Sequence, residues 1–241
     1  MKLVRSLAVA LAIVAGLAGV ARGELVQDED LILSFDGGIL PRALPRDTPT
    51  PVAIWVDSSL RVPPGKLLPP QLEKISIAIN RKGKIFDRGL PTCRVREIQP
   101  STMKAAKRIC GGAIVGRGHV GVLVEIENGR PFFLRAPLLA FNADPLNGNR
   151  RMFVQAYAKN PPGTFVLPFT IRRRPGTFGT VVSASLPESA KSWAYITEFQ
   201  LRLQRHYTYK GEAYSFINAS CAAPEGFPVA VYPFAEASYE F

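Results

Sequence analysis

Histidine occurs only twice in the 241 residues, cysteine three times and tryptophan twice. Two histidines leave little room for imidazole-based metal chemistry. Three cysteines cannot build a four-cysteine zinc site or a disulfide-dense miniprotein. No metal and no cofactor are expected. There is no Walker loop, no Cys-x-x-Cys and no His-Glu-x-x-His, and the chain is read as lacking a dinucleotide fingerprint. The motif-marked enzyme classes therefore drop out, leaving only sites assembled from distant residues. Low-complexity tracts are missing too. With 47% hydrophobic and 20% charged residues, the composition is that of a folded globular protein rather than a disordered one. The 20 glycines and 21 prolines follow no Gly-X-Y period, which excludes collagen.

Acidic residues are scarce: 19 against 30 lysines and arginines, a formal charge of +11. Part of that charge lies in a segment predicted to be removed. Lys2 and Arg5 precede an apolar run from Leu7 to Ala21, and Ala21-Arg22-Gly23 places small residues at the −3 and −1 positions of a signal-peptidase site. The run is shorter than the roughly 20 residues of a membrane-spanning helix. Residues 1–23 are thus predicted to be a signal peptide, with Glu24 the first residue of a secreted or cell-envelope-associated protein that has no transmembrane segment. Cleavage removes three basic residues and no acidic one, taking the charge from +11 to +8. Such a charge favours anionic partners, an envelope polymer or lipid above all.

Residues 24–50 read as an extended N-terminal arm. Leu31–Phe35 is a possible strand and Asp36-Gly37-Gly38 a turn, while Pro41, Pro45, Pro49 and Pro51 keep the next stretch of chain non-helical. Residues 51–241 read as a single all-β domain, an antiparallel sandwich-like arrangement of short strands between Gly/Pro turns. Ile75, Ile77 and Ile79 alternate with polar or small residues, as do Val120, Val122, Val124 and Ile126. Further strands are predicted at roughly 131–142, 151–159, 164–173 and 178–186. Asn128-Gly129 and Asn147-Gly148 signal tight hairpins, because both residue types tolerate positive φ. Tyr195–Tyr209 reads as one strand with Phe199, Leu201, Leu203, Tyr207 and Tyr209 on one face. Residues 212–220 form its return, and 229–240 a last strand. One segment differs: a short helix at about 101–110, with Ser101 as N-cap and Gly111 ending it.

Three blocks of residues carry a resemblance. They are Leu90-Pro-Thr-Cys93 with Gln99-Pro-Ser-Thr102 and Val115-Gly-Arg-Gly118; Phe165-Val-Leu-Pro-Phe-Thr-Ile171 with Gly176-Thr-Phe-Gly179; and Tyr207-Thr-Tyr209 with Ala219-Ser-Cys221 and Pro224-Glu-Gly-Phe-Pro228. Together they resemble a family of uncharacterised exported proteins of high-G+C Gram-positive bacteria. The resemblance spans most of residues 75–240. It implies export and one β-rich domain, and no activity.

Cys93 and Cys110 are the favoured disulfide pair, given export and sixteen intervening residues, although three cysteines allow three single-bridge pairings. Cys221 is then a possible free thiol, read as a buried small hydrophobe. Ser101-Thr-Met-Lys104 matches the S-x-x-K pattern of serine β-lactamases, but the S-D-N and K-T-G elements are absent; it is read as helix-cap chemistry. His119 and His206 read as surface or edge residues. Glu125 and Glu127 lie on one strand face about 6–7 Å apart, a spacing seen in glycoside hydrolases, yet the face is the solvated one. Asp144, Asn147 and Asn149 read as turn chemistry. No catalytic residue is assigned. Arg172, Arg173 and Arg174, with Arg150-Arg151, form a possible anion-binding patch. Phe165, Phe169 and Phe178 follow the core alternation, so no specific nucleic-acid site is expected.

The sequence thus points to an exported, non-enzymatic protein that binds an envelope component or a small apolar or glycan ligand on a sheet face or between sheets. The alternatives are a secreted hydrolase with a dispersed site, and a structural surface protein that associates through strand edges or Cys221.

Overall fold

The structure, a computed structural model, describes residues 24–28, 31–62, 68–126, 129–191, 193–221 and 235–240. Residues 1–23, read above as a signal peptide, Asn128 of the predicted Asn-Gly turn, Glu127 and the start of the last predicted strand lie outside them. The elements in chain order are β1 (Glu24–Asp28), β2 (Leu31–Leu40), β3 (Thr50–Arg61), β4 (Lys74–Ile79), β5 (Gly83–Ile85), α1 (Val95–Ile98), α2 (Met103–Cys110), β6 (Ile114–Val124), β7 (Phe132–Leu146), β8 (Asn149–Lys159), β9 (Pro162–Arg173), β10 (Thr180–Ser185), α3 (Glu188–Lys191), β11 (Ala194–Leu203), β12 (His206–Tyr209), β13 (Glu212–Ser215), β14 (Ile217–Ala219) and β15 (Ala235–Glu240). Strand makes up 60% and helix 10%, so the all-β, antiparallel, sandwich-like class predicted from alternation is the class observed.

The main sheet runs β1-β2-β3-β11-β6-β7-β8-β9-β10-β4-β15, with β14 pairing β3 and β5. Consecutive hairpins build the stretch from β6 to β10; β11 returns from far along the chain to fill the slot between β3 and β6. The sheet folds over on itself. Leu33 of β2, Leu60 of β3 and Phe199 of β11 share one interior space with Leu167 of β9, Ile75 of β4 and Tyr239 of β15. One apolar cluster joins both halves, including Val52, Ile54, Ile77, Val120, Phe169 and Leu201. Each fully buried side chain of this size contributes about 1.5–3 kcal/mol by leaving water.

A second, smaller cluster covers the outer face of β7 and β8. Successive strand residues point to opposite faces, so Leu138 and Ala140 face the main core while Leu139 and Phe141 face α1 and α2. Burial on both faces explains why Leu138–Ala143 lacks the polar–apolar alternation of a half-exposed strand. Asn147 (φ 50°) and Gly148 (φ 76°) make the tight turn between β7 and β8, where Leu146 pairs with Asn149.

Four expectations are corrected. The Asp36-Gly37-Gly38 turn is instead mid-strand: Gly37 pairs with Val56 and Gly38 with Trp55, whose indole fills the space a side chain at 38 would take. The segment read as an arm therefore supplies two strands of the sheet. The helix begins at Met103, and its N-cap is Thr102, whose hydroxyl accepts from the Ala105 amide at 3.2 Å. Ser101 instead donates its hydroxyl to the Glu97 carbonyl, 3.0 Å away. Gly111 is the C-cap, as expected, at a right-handed φ of −58°, and the chain passes from it into a 3-10 turn. The single strand read for 195–209 breaks after Leu203, because Tyr207 and Tyr209 leave the main core for a separate cluster with Phe86 and Tyr214.

Candidate ligand-binding cavity

Cross-strand pairing of β3 with β11 runs from Ile54–Leu203 to Ser59–Glu198 and stops there. Beyond that rung each strand keeps only its other neighbour. Arg61 of β3 pairs with Ile32 of β2, and Ile196 of β11 pairs with Val122 of β6. The parting coincides with a bulge. The β11–β6 register jumps between Ile196 and Glu198, leaving Thr197 as the surplus residue. A bulge kinks its strand and sharpens the local twist, which carries the start of β11 away from the end of β3.

The gap so formed holds a cleft of about 280 Å³, bounded by Arg61, Val62 and Pro69 on one side and Leu123, Phe133 and Glu198 on the other. Phe133 is 52% exposed at its rim. Behind the cleft lies a narrower void of about 30 Å³ in the main core, room for about one or two waters. Leu60, Thr197 and Glu198 line both spaces.

The walls of the inner void are apolar: Leu33, Leu72, Ile75, Phe169 and Phe199 among others. Three hydroxyl residues interrupt them, Ser58, Thr197 and Tyr239. The side-chain oxygen of Thr197 is buried without a hydrogen-bond partner among the described residues. Burial raises the Tyr239 pKa to about 12, so the phenol keeps its proton, while a hydrogen bond from Ser58 offsets part of the rise. At the mouth, Glu198 forms an ion pair with Arg135 at 3.7 Å, and the Arg135 guanidinium also touches His119 Nε2.

The sequence-predicted residues lie elsewhere. Cys93 and Cys110 are bonded to one another, with their Cα atoms 5.7 Å apart, both buried under α1 and α2. The cluster of Cys93, Cys110 and Glu97 is this bridge and its neighbour; the Glu97 carboxylate caps α1 by accepting from the Arg94 amide at 2.7 Å. Cys221 is buried and unbonded among the described residues. Arg172, Arg173 and Arg174 are exposed, and alternation sends Arg172 and Arg173 to opposite faces. Arg174 pairs with Glu236 at 3.6 Å, while Arg150 binds Asp87 at 3.3 Å and Arg151 donates to the Asp144 carbonyl at 2.8 Å. Phe165 and Phe169 belong to the core. Lys104 is exposed, and Glu125 accepts from the Tyr195 hydroxyl at 2.9 Å. His206 contacts Gln204, and Asn149 donates to the Asn147 carbonyl within its own turn.

The residues Gly116-Arg-Gly118-His-Val-Gly121 do spell a dinucleotide fingerprint, which corrects the expectation that the chain lacks one. They lie inside β6, with no following helix to receive a phosphate. A Cβ at Gly118 would collide with the Gln200 backbone. The glycines here serve strand approach. The cleft-lining residues have no signal in the sequence, because neither a bulge nor a gap between two sequence-distant strands has a local motif. Among the described residues no helix is long and apolar enough to cross a membrane. No family model, no curated protein and no solved structure matches this chain.

Proposed function

We propose that the protein is an exported, non-enzymatic binding protein that takes a small apolar ligand into the gap between β3 and β11. The observation that carries this reading is the shared lining of the cleft and the inner void at Leu60 and Thr197, which sets the cleft directly against the apolar interior. A volume of about 280 Å³ is just below the range of roughly 300–1,000 Å³ typical of small-molecule pockets. Export rests on residues 1–23, and the positive charge of the remaining chain supports retention beside anionic envelope material.

Titration with diphenylhexatriene, a hydrocarbon dye that fluoresces when shielded from water, tests the reading. Saturable enhancement is expected, and Ser59→Trp, which places an indole in the cleft, should abolish it without lowering the melting temperature. Enhancement that is absent, or unchanged in Ser59→Trp, would overturn the proposal. The intact mass of secreted protein tests export separately: the expected product begins at Glu24.

A further inference from the structure

We infer that the protein carries a second binding surface, a docking site for a flexible polyanion, at the end of the sandwich away from the cavity. It uses none of the cleft residues and stands apart from the ligand proposed for them. Two basic segments meet there. Arg81 and Lys82 form the turn after β4, with Lys84 on β5; Arg172 and Arg173 end β9, and Arg174 follows them. All six side chains are exposed. The backbone stitches the two segments together. The Arg81 amide donates to the Thr177 carbonyl at 2.8 Å, and the Arg174 amide to the Gly179 carbonyl at 3.1 Å. Between them Thr180 of β10 pairs with Arg173 on one side and with Ile79 of β4 on the other.

Elsewhere on the surface cations are set against acids, as in Lys74–Glu240, Arg135–Glu198, Arg150–Asp87 and Lys191–Glu188. Here Arg174 alone is, through Glu236. The other five have no ion pair among the described residues. Like charges gathered in this way repel one another and draw in a polyanion, which gains further by shedding its own counterions. The arrangement selects the kind of polyanion. Strand alternation sends Arg172 and Arg173 to opposite faces of β9. A flat bilayer meets one face only, whereas a flexible chain follows the cations over the end of the sheet. Nor does either segment offer an exposed aromatic for a nucleic-acid base to stack on: Phe178, the one aromatic, is half-buried. The cavity lies toward the opposite end of β4, where Ile75 lines the inner void, so a docked polymer leaves the cleft open.

The probe is poly(glycerol phosphate), a flexible phosphodiester chain without bases or lipid, titrated calorimetrically into the secreted protein at about 50 mM salt. Saturable binding that weakens as salt is added is expected. A Lys82→Gln, Arg172→Gln, Arg173→Gln variant should bind at least about tenfold more weakly, with a shallower salt dependence. A control of equal charge, Lys104→Gln, Arg130→Gln, Lys159→Gln, removes three exposed cations away from this end and should stay within about twofold of wild type. Melting curves check that both variants fold. Equal losses in the two variants would reduce the effect to net charge and overturn the site. So would an absence of binding, tighter binding to phosphatidylglycerol vesicles per accessible phosphate, or tighter binding to oligothymidylate of the same length. Bound polymer should leave diphenylhexatriene in the cleft, and displacement of the dye would overturn the inference by merging the two sites. If the dye does not bind at all, the cleft reading falls alone, and the two variants still decide this one.

Discussion

Gln155, with no exposed surface, donates its side-chain amide to the carbonyl of Ile98 at 2.7 Å, 57 residues earlier in the chain. The same nitrogen reaches the Ser101 carbonyl at 2.9 Å. One side chain on β8 thus adds a second donor to two carbonyls at the junction of α1 and α2, which already accept from the Ser101 amide at 3.1 Å and the Thr164 hydroxyl at 3.0 Å, and pins that helical segment to the sheet. Gln155→Leu keeps the volume and removes both links while each carbonyl retains its other donor. It should lower the unfolding free energy by about 0.5–1.5 kcal/mol, read from a shift in the urea midpoint. Dye binding should be unaffected, since Gln155 does not line the cleft.

The Cys93–Cys110 bridge acts on the same segment by a different route, closing a loop of 17 residues in the unfolded chain. In the chain-entropy account a loop of this size is worth about 3 kcal/mol. A Cys93→Ala, Cys110→Ala double variant should lose most of that in equilibrium unfolding. Wild-type protein treated with reductant under native conditions should resist, because both sulfurs are buried.

Phe86 stacks on Tyr214 with ring centroids 4.1 Å apart and meets Tyr207 and Tyr209 at 6.4 and 6.1 Å. The Tyr207 hydroxyl donates to the Phe86 carbonyl at 3.1 Å. This cluster holds the β12–β13 hairpin, which forms a two-stranded sheet of its own. Phe86→Ala should cost about 2–3 kcal/mol and free the hairpin first. Hydrogen exchange at Tyr207 to Glu212 would show it as early loss of protection.

Alkaline pH should weaken the fold through two phenols. Burial raises both Tyr207 and Tyr239 from 10.0 to about 12. In the unfolded chain each loses its proton near pH 10, while the folded state holds it to higher pH. The unfolded state therefore binds fewer protons between those values, and stability falls as pH rises through that window. For Tyr239 the loss approaches ~2–3 kcal/mol above pH 12; for the better solvated Tyr207 it is smaller. Stability below pH 10 is untouched by either. A Tyr239→Phe variant should flatten the decline measured by denaturant midpoints between about pH 10 and 12. An unchanged slope would count against the burial of this phenol.

Much of the fold was legible from local pattern. The alternation of Ile75, Ile77 and Ile79 marked β4, Asn147-Gly148 marked its hairpin, and the closeness of Cys93 to Cys110 marked the bridge. What escaped depends on partners far along the chain. Gly37 and Gly38 look like turn residues until Trp55 is placed over them. Tyr207 and Tyr209 continue the period of Leu201 and Leu203, and only the presence of Phe86 draws them to another cluster. Thr102 and Ser101 are equally good caps on paper, and the Glu97 carbonyl decides between them. The cleft was the least visible of all, because it is where two strands fail to pair.

That failure hangs on a single surplus residue. Deleting Thr197 would bring the two halves of β11 back into step with β6 and let its first residues meet Leu60 and Arg61 of β3. The shortest possible edit to the chain would then convert a perforated wall into a sealed one, leaving the rest of the architecture in place. An open seam and a closed one differ here by one position in 241.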